Sequence, residues 1–129
     1  MSNVTHYKVR GLEEAFVFSQ AVRAGDTLYL SGHLSWDADG NTVAPGDMAA
    51  QVENIYRELG ETLAAHGLTF AAVVKENVYT TDMPALVAAA DRRKGHYDGL
   101  KGPAATWVEV KRLVPDGALI EVELIAIAR

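Results

Sequence analysis

The sequence predicts an α+β domain, a sheet with two helices on one face, in the order β-β-α-β-α-β-β. Three observations carry this. A Gly-Asp turn joins two β-rich runs near the start. Apolar residues then recur at helical spacing. The segment 119–128 alternates with the period of a strand.

The first two strands are read from Phe16-Val17-Phe18-Ser19-Gln20-Ala21-Val22 and Thr27-Leu28-Tyr29-Leu30-Ser31-Gly32, joined across Gly25-Asp26 as a hairpin. Asp37-Ala38-Asp39-Gly40-Asn41 is a turn cluster. A helix follows over 47–66. Asp47 can accept from the free amides of its first turn, and Met48, Val52, Ile55, Leu59 and Leu63 lie on one face. Gly67 suits a left-handed cap. Val73 to Thr81 reads as a strand. Pro84 opens a second helix that runs to about Tyr97, ended by Gly99 and Gly102-Pro103. Thr106–Val110 is a strand, Val114-Pro115-Asp116-Gly117 a turn, and Leu119–Ala128 the last strand.

In that last strand Ile120, Val122, Leu124, Ala126 and Ala128 share one face and should pack on the helices. The other face carries Leu119, Glu121, Glu123, Ile125 and Ile127. A face meeting water should be polar, so these aliphatics point to self-association.

The chain has 129 residues and fits one domain over 1–129. Its 12 basic and 17 acidic residues give a net charge of −5, which argues against a nucleic-acid partner. It has no cysteine, so disulfides, thiolate nucleophiles and cysteine metal sites are excluded, and a reducing cytoplasm is the expected location. The first residues, Met1 to His6, show no basic segment followed by an apolar run. No apolar stretch approaches the ~20 residues of a membrane span.

Candidate chemistry is sparse. His6, His33, His66 and His96 have no metal-ligand spacing, so no metal is expected. His33 alone follows a plausible backbone pocket, Ser31-Gly32. Gly32 marks either a bulge or a close approach to a ligand. Ser31 lacks the G-x-S-x-G elbow of a nucleophile. Arg93, in the run Asp91-Arg92-Arg93-Lys94, either faces solvent or holds a carboxylate. Glu121 is either an exposed edge residue or a buried carboxylate whose raised pKa suits acid–base work.

Taken in order, several segments resemble one family. They are Phe18-Ser19-Gln20-Ala21-Val22, Gly25 to Gly32, Gln51, Val73-Val74-Lys75, Tyr79-Thr80-Thr81-Asp82-Met83, Pro103-Ala104, Val108-Glu109-Val110 and Ile120-Glu121-Val122-Glu123. The set covers nearly the whole chain and resembles the Rid family, the YjgF-type reactive-intermediate deaminases. The resemblance implies a chorismate-mutase-like fold and a homotrimer, with sheets forming an inner barrel, helices outside and small-molecule clefts between subunits. It implies hydrolysis of enamines and imines without metal or cofactor. Glu121 matches the glutamate that orients the attacking water. The arginine that grips the substrate carboxylate in active members is here Ala105. Trp107 stands where a small residue or cysteine is frequent, and Phe18 where tyrosine is frequent. The implied substrate-binding set is therefore Phe18, Ser31, Gly32, His33, Arg93, Ala105 and Trp107, around Glu121. An acid group on the substrate is either absent or held elsewhere, by Arg93 or His33. The alternative is a non-catalytic ligand-binding or chaperone-like trimer. Ribonuclease activity, attached to some relatives, fits the −5 charge least.

Overall fold

The computed structural model describes residues 3–9 and 11–128. Met1, Ser2, Arg10 and Arg129 lie outside the described residues, so the expectations for the first residues and for the limits of the domain at 1–129 fall partly beyond them.

Six strands form one sheet, in spatial order β1-β2-β3-β6-β4-β5. In chain order they are β1 (Val4–Tyr7), β2 (Ala21–Ala24), β3 (Thr27–Leu34), β4 (Val73–Thr80), β5 (Ala104–Glu109) and β6 (Ile120–Ile127). Gly25, at φ +62°, makes the turn of the β2–β3 hairpin, where Ala24 pairs with Thr27. β4 and β5 run parallel, so the chain between them must cross over the sheet. Every other pairing is antiparallel. β6 lies between β3 and β4, and this central place fixes Glu121 between Leu34 and Tyr79.

The helices are α1 (Gly11–Phe16), α2 (Met48–Ala64), α3 (Met83–Ala88) and α4 (Ala90–Lys94). In α2, Asp47 Oδ1 accepts from the Ala50 amide at 3.1 Å, a cap worth about 1 kcal/mol. Gly67, at φ +73°, lets the Leu68 amide reach the Leu63 carbonyl. Val52, Ile55, Tyr56, Leu59 and Leu63 are buried against Leu28, Leu30, Val78, Val122 and Leu124 of the sheet. Each such side chain contributes roughly 1.5–3 kcal/mol by leaving water. Gln51, fully buried, ties α2 to the start of β6. Its Nε2 donates to the Ala44 and Gly117 carbonyls, and its Oε1 accepts from the Leu119 amide.

The alternation expected along the last strand is present. Ile120, Val122, Leu124 and Ala126 are buried, while Glu121, Glu123, Ile125 and Ile127 are half-buried on the opposite face. That face also exposes Tyr29, which pairs with Ile125, and Val108.

The structure departs from the sequence reading in three places. β1 was not expected. Its Val-Thr-His-Tyr sequence has no apolar periodicity, and its order comes from pairing with β2 and from edge-on packing of Tyr7 on His66. Residues expected to begin the first strand at Phe16 instead complete α1 and a loop. α1 closes with the Phe18 amide on the Glu13 carbonyl and Val17 at φ +56°. Glycine usually fills that left-handed position, and a β-branched residue there hides the helix end. Finally, the helix expected from Pro84 to Tyr97 is broken at Ala89 into α3 and α4, followed by a 3₁₀ turn at Gly95–Tyr97. No Gly or Pro lies at the break. The bend brings both Arg93 and Tyr97 onto Glu76, and this tertiary gain outweighs alanine's helix propensity.

Candidate active site

Two carboxylates on adjacent strands face opposite sides of the sheet. Glu76, on β4, faces the helices and is completely buried. Its Oε2 accepts from the Tyr56 hydroxyl at 2.6 Å and the Tyr97 hydroxyl at 3.0 Å. Its Oε1 accepts from Arg93 Nε at 2.8 Å and Nη2 at 2.6 Å. Burial first, and the Glu76 charge second, push both phenols above the ordinary tyrosine range. The Arg93 guanidinium also lies over the rings of Tyr97 and Trp107, 4.7 and 5.5 Å from their centroids. This cluster is fully paired and structural in character.

Glu121, on β6, faces the other way. Its carboxylate lies directly against Gly32, and a Cβ on Gly32 would overlap it. The β3–β6 register shifts between Leu30 and His33, so Gly32 sits in a bulge that admits the carboxylate. Four contacts hold this bulge. The Ser31 amide donates to the Gln20 carbonyl, and its Oγ donates to the Ser19 carbonyl. His33 Nδ1 lies 2.6 Å from the Ser31 carbonyl and its Nε2 lies 2.6 Å from Gln20 Nε2. The amide nitrogen of Gln20 can only donate. His33 Nε2 therefore accepts, and Nδ1 carries the proton that bonds Ser31.

Glu121 is half-buried at the floor of an open cleft of about 290 Å³. Phe16, Phe18, Leu34, Trp36 and Val114 supply its apolar walls, and Ser31 and Gly32 its backbone side. Among the described residues no hydrogen-bond donor is paired with the Glu121 carboxylate. Its neighbour Glu123 differs. Glu123 Oε1 accepts from the Tyr79 hydroxyl at 2.6 Å and from Asn77 Nδ2 at 3.0 Å. That hydrogen bond, with burial and the nearby charges, pushes the Tyr79 phenol up to about 12. Glu121 is left with burial, and then the Glu123 charge, holding its carboxyl above the ordinary glutamate range.

The structure thus gathers Phe18, Ser31, Gly32 and Glu121 in one cleft. It places the other candidates elsewhere within the chain. His33 is buried beneath the bulge and supports Ser31. Ala105 and Trp107 lie on the edge strand β5, in register with Glu76 and Val78, on the helix side of the sheet. Arg93 is on that side too, bound to Glu76. Sequence reasoning missed Leu34, Trp36 and Val114 as walls, and placed Phe16 in a strand. No local signal marks these four. Glu76 did carry one, since it shares its strand face with Val78 and Thr80, both buried. Among the described residues there is no group of three His, Asp or Glu side chains arranged to hold a metal.

A sheet of this order, with a glycine bulge opening onto a central-strand glutamate, defines a member of one α+β family. Residues 11–128 match the family model described as endoribonuclease L-PSP, and the chain belongs to that family, the Rid or YjgF family. It is 34% identical over 110 residues to the 2-iminobutanoate/2-iminopropanoate deaminase of Rattus norvegicus, covering 85% of this chain and 79% of that protein. It is 34% identical over 109 residues to a RutC family protein of Pyrococcus horikoshii, covering 84% and 85%. Its fold superposes on a YjgF/YER057c/UK114 family member from Mycobacterium tuberculosis with a TM-score of 0.84 and 26% identity, over 98% of this chain and 100% of that one. The chain is RidA-like.

Proposed function

We propose that this protein hydrolyses enamines or imines, with Glu121 acting on the attacking water. The observation that carries the reading is the half-buried Glu121 carboxylate, pressed against Gly32 at the floor of the cleft and without a donor among the described residues. A raised pKa brings a carboxylate toward the range where it can take and return a proton near neutral pH. Water oxygen bonds to the imine carbon while Glu121 takes a water proton, and the C=N electron pair moves to nitrogen, which receives that proton from Glu121. The resulting carbinolamine then breaks its C–N bond as Glu121 carries the hydroxyl proton to the leaving nitrogen, giving the carbonyl and ammonia and restoring the carboxylate. No redox partner is consumed.

The assembly belongs to the same proposal. The sheet face around Ile125, Ile127, Tyr29 and Val108 is apolar enough to be covered by other copies in a homotrimer. The ligand cleft then lies between subunits, with the exposed β5 edge of one copy beside the Glu121 cleft of the next. We place the protein in the cytoplasm, with no nucleic-acid partner, on its lack of cysteine and its charge of −5. Among the described residues no helix is long and apolar enough to cross a membrane.

A second reading, a non-catalytic ligand-binding trimer, is favoured by one observation. Ala105 cannot grip a carboxylate. The test is ammonia release from freshly generated imines, 2-iminopropanoate and a neutral imine among them, by wild type and Glu121→Ala. Acceleration that vanishes in the variant supports the hydrolase. No acceleration over such a panel supports the binder.

A further inference from the structure

Among the described residues, the cleft around Glu121 has walls but no cation. Its apolar side chains are Phe16, Phe18, Leu34, Trp36 and Val114, and no described Lys, Arg or His lines it. A carboxylate entering there would meet Glu121, with Glu123 two residues along the same strand face. Like charges at such range disfavour binding, and no described residue of this chain that lines the cleft offsets them.

The two cations proposed from sequence to replace the missing arginine are both committed. Arg93 is the countercharge of Glu76, whose carboxylate is fully buried. Moving the guanidinium to a substrate would leave that charge buried and unpaired, a change proteins resist strongly. His33 is buried, with one ring nitrogen on Ser31 and the other on Gln20.

The mouth of the cleft is apolar as well. Phe16 and Val114 expose 59% and 70% of their surface there. Between Phe16 and Phe18, Val17 holds φ +56°, a conformation that β-branched residues avoid. That backbone turn lets both flanking phenylalanines line the cleft. Exposed aromatic surface next to an enclosed apolar wall is suited to bury a hydrophobic ligand.

We propose that the substrate class of this site is an uncharged imine or enamine bearing an aromatic or branched aliphatic group, not the imine of a 2-oxo acid. This rests on the hydrolase reading above for turnover, but its binding part stands apart from it. Phe16, Phe18 and Trp36 take the apolar group, and Glu121 with the Ser31–Gly32 backbone faces the C=N carbon. The selectivity comes from the lack of a cation among the described residues that line the cleft and from the Glu121 charge repelling an acid group.

The experiment compares ligands that differ in the acid group. Calorimetric titration of the native oligomer with phenylacetone and with phenylpyruvate measures affinity for neutral and anionic carbonyl compounds of one skeleton. Ammonia release is then followed from the imines formed by oxidising phenethylamine and phenylalanine. We expect phenylacetone to bind at least tenfold more tightly than phenylpyruvate, and Phe18→Ala to weaken it about tenfold without lowering the unfolding midpoint. We expect the imine of phenethylamine to be the faster substrate. Selective binding of phenylacetone without ammonia release supports the substrate class and removes the hydrolase reading. Faster turnover of the phenylalanine imine, equal or tighter binding of phenylpyruvate, or no binding of either ligand overturns the substrate class. Turnover of the anionic imine would at the same time leave the hydrolase reading standing.

Discussion

Glu76 and Glu121 lie on neighbouring strands, three residues from register, and point to opposite faces of the same sheet. Four donor groups from three side chains surround Glu76: two phenols and two nitrogens of one guanidinium. Glu121 has a glycine beneath it and apolar walls around it. The first is a carboxylate whose hydrogen-bonding capacity is spent on holding α4 and β4 together. The second keeps its capacity for a ligand. The difference shows how one chemical group becomes structure or chemistry according to its donors.

The largest effect should come from breaking the paired site. Glu76→Ala strands a part-buried guanidinium and two phenols, and breaking a buried ion pair costs about 3–5 kcal/mol. Urea unfolding should show this loss, and a change below 1 kcal/mol would make the cluster dispensable. On the unpaired side, Gly32→Ala should displace the Glu121 carboxylate, because the new methyl group occupies its place. A misplacement near 1 Å costs roughly a hundredfold in rate. We expect ammonia release to fall on that scale while the protein remains folded by circular dichroism.

The comparison also has a pH signature. The Glu121 carboxyl is held above the ordinary glutamate range by burial and by Glu123. The native state therefore binds this proton more tightly than the unfolded chain does. Its contribution to stability is greatest below the ordinary glutamate pKa and is lost as pH rises through the raised native value. The rate runs the other way if ionised Glu121 is the base, increasing with pH along a limb displaced above that of a free glutamate. A rate limb at the ordinary glutamate position would break the link between burial and function. The smallest effect concerns Val17. Val17→Gly removes the left-handed strain at the cleft mouth, offset by glycine's greater freedom when unfolded. Thermal denaturation should register a gain of up to about 1 kcal/mol.

Much of this was legible in the residues. The helix over 47–66 carried its Asp47 cap, its apolar face and its Gly67 stop in plain order, and the structure has them all. The last strand announced both faces by alternation. What was not legible depended on long-range partners. β1 has no pattern without β2, and the break at Ala89 has no cause until Glu76 is in place. α1 was hidden because Val17 sits where glycine signals a stop. In the site, Gly32 and Glu121 were each ambiguous alone, and only the β3–β6 register joins them. Arg93 stays open between facing solvent and holding a carboxylate, because nothing local reveals its bond to Glu76, 17 residues away.

The central claim is that the unpaired glutamate is the chemical one. Glu121→Gln tests it most directly, with ammonia release and urea unfolding measured on the same preparation at pH 7. The account predicts that turnover drops by roughly 10²–10⁴-fold, the usual contribution of a positioned acid–base group. It also predicts an unfolding midpoint equal to or above wild type, since a disfavoured buried charge has been removed. Unchanged turnover, or a loss of stability like that of Glu76→Ala, would contradict it.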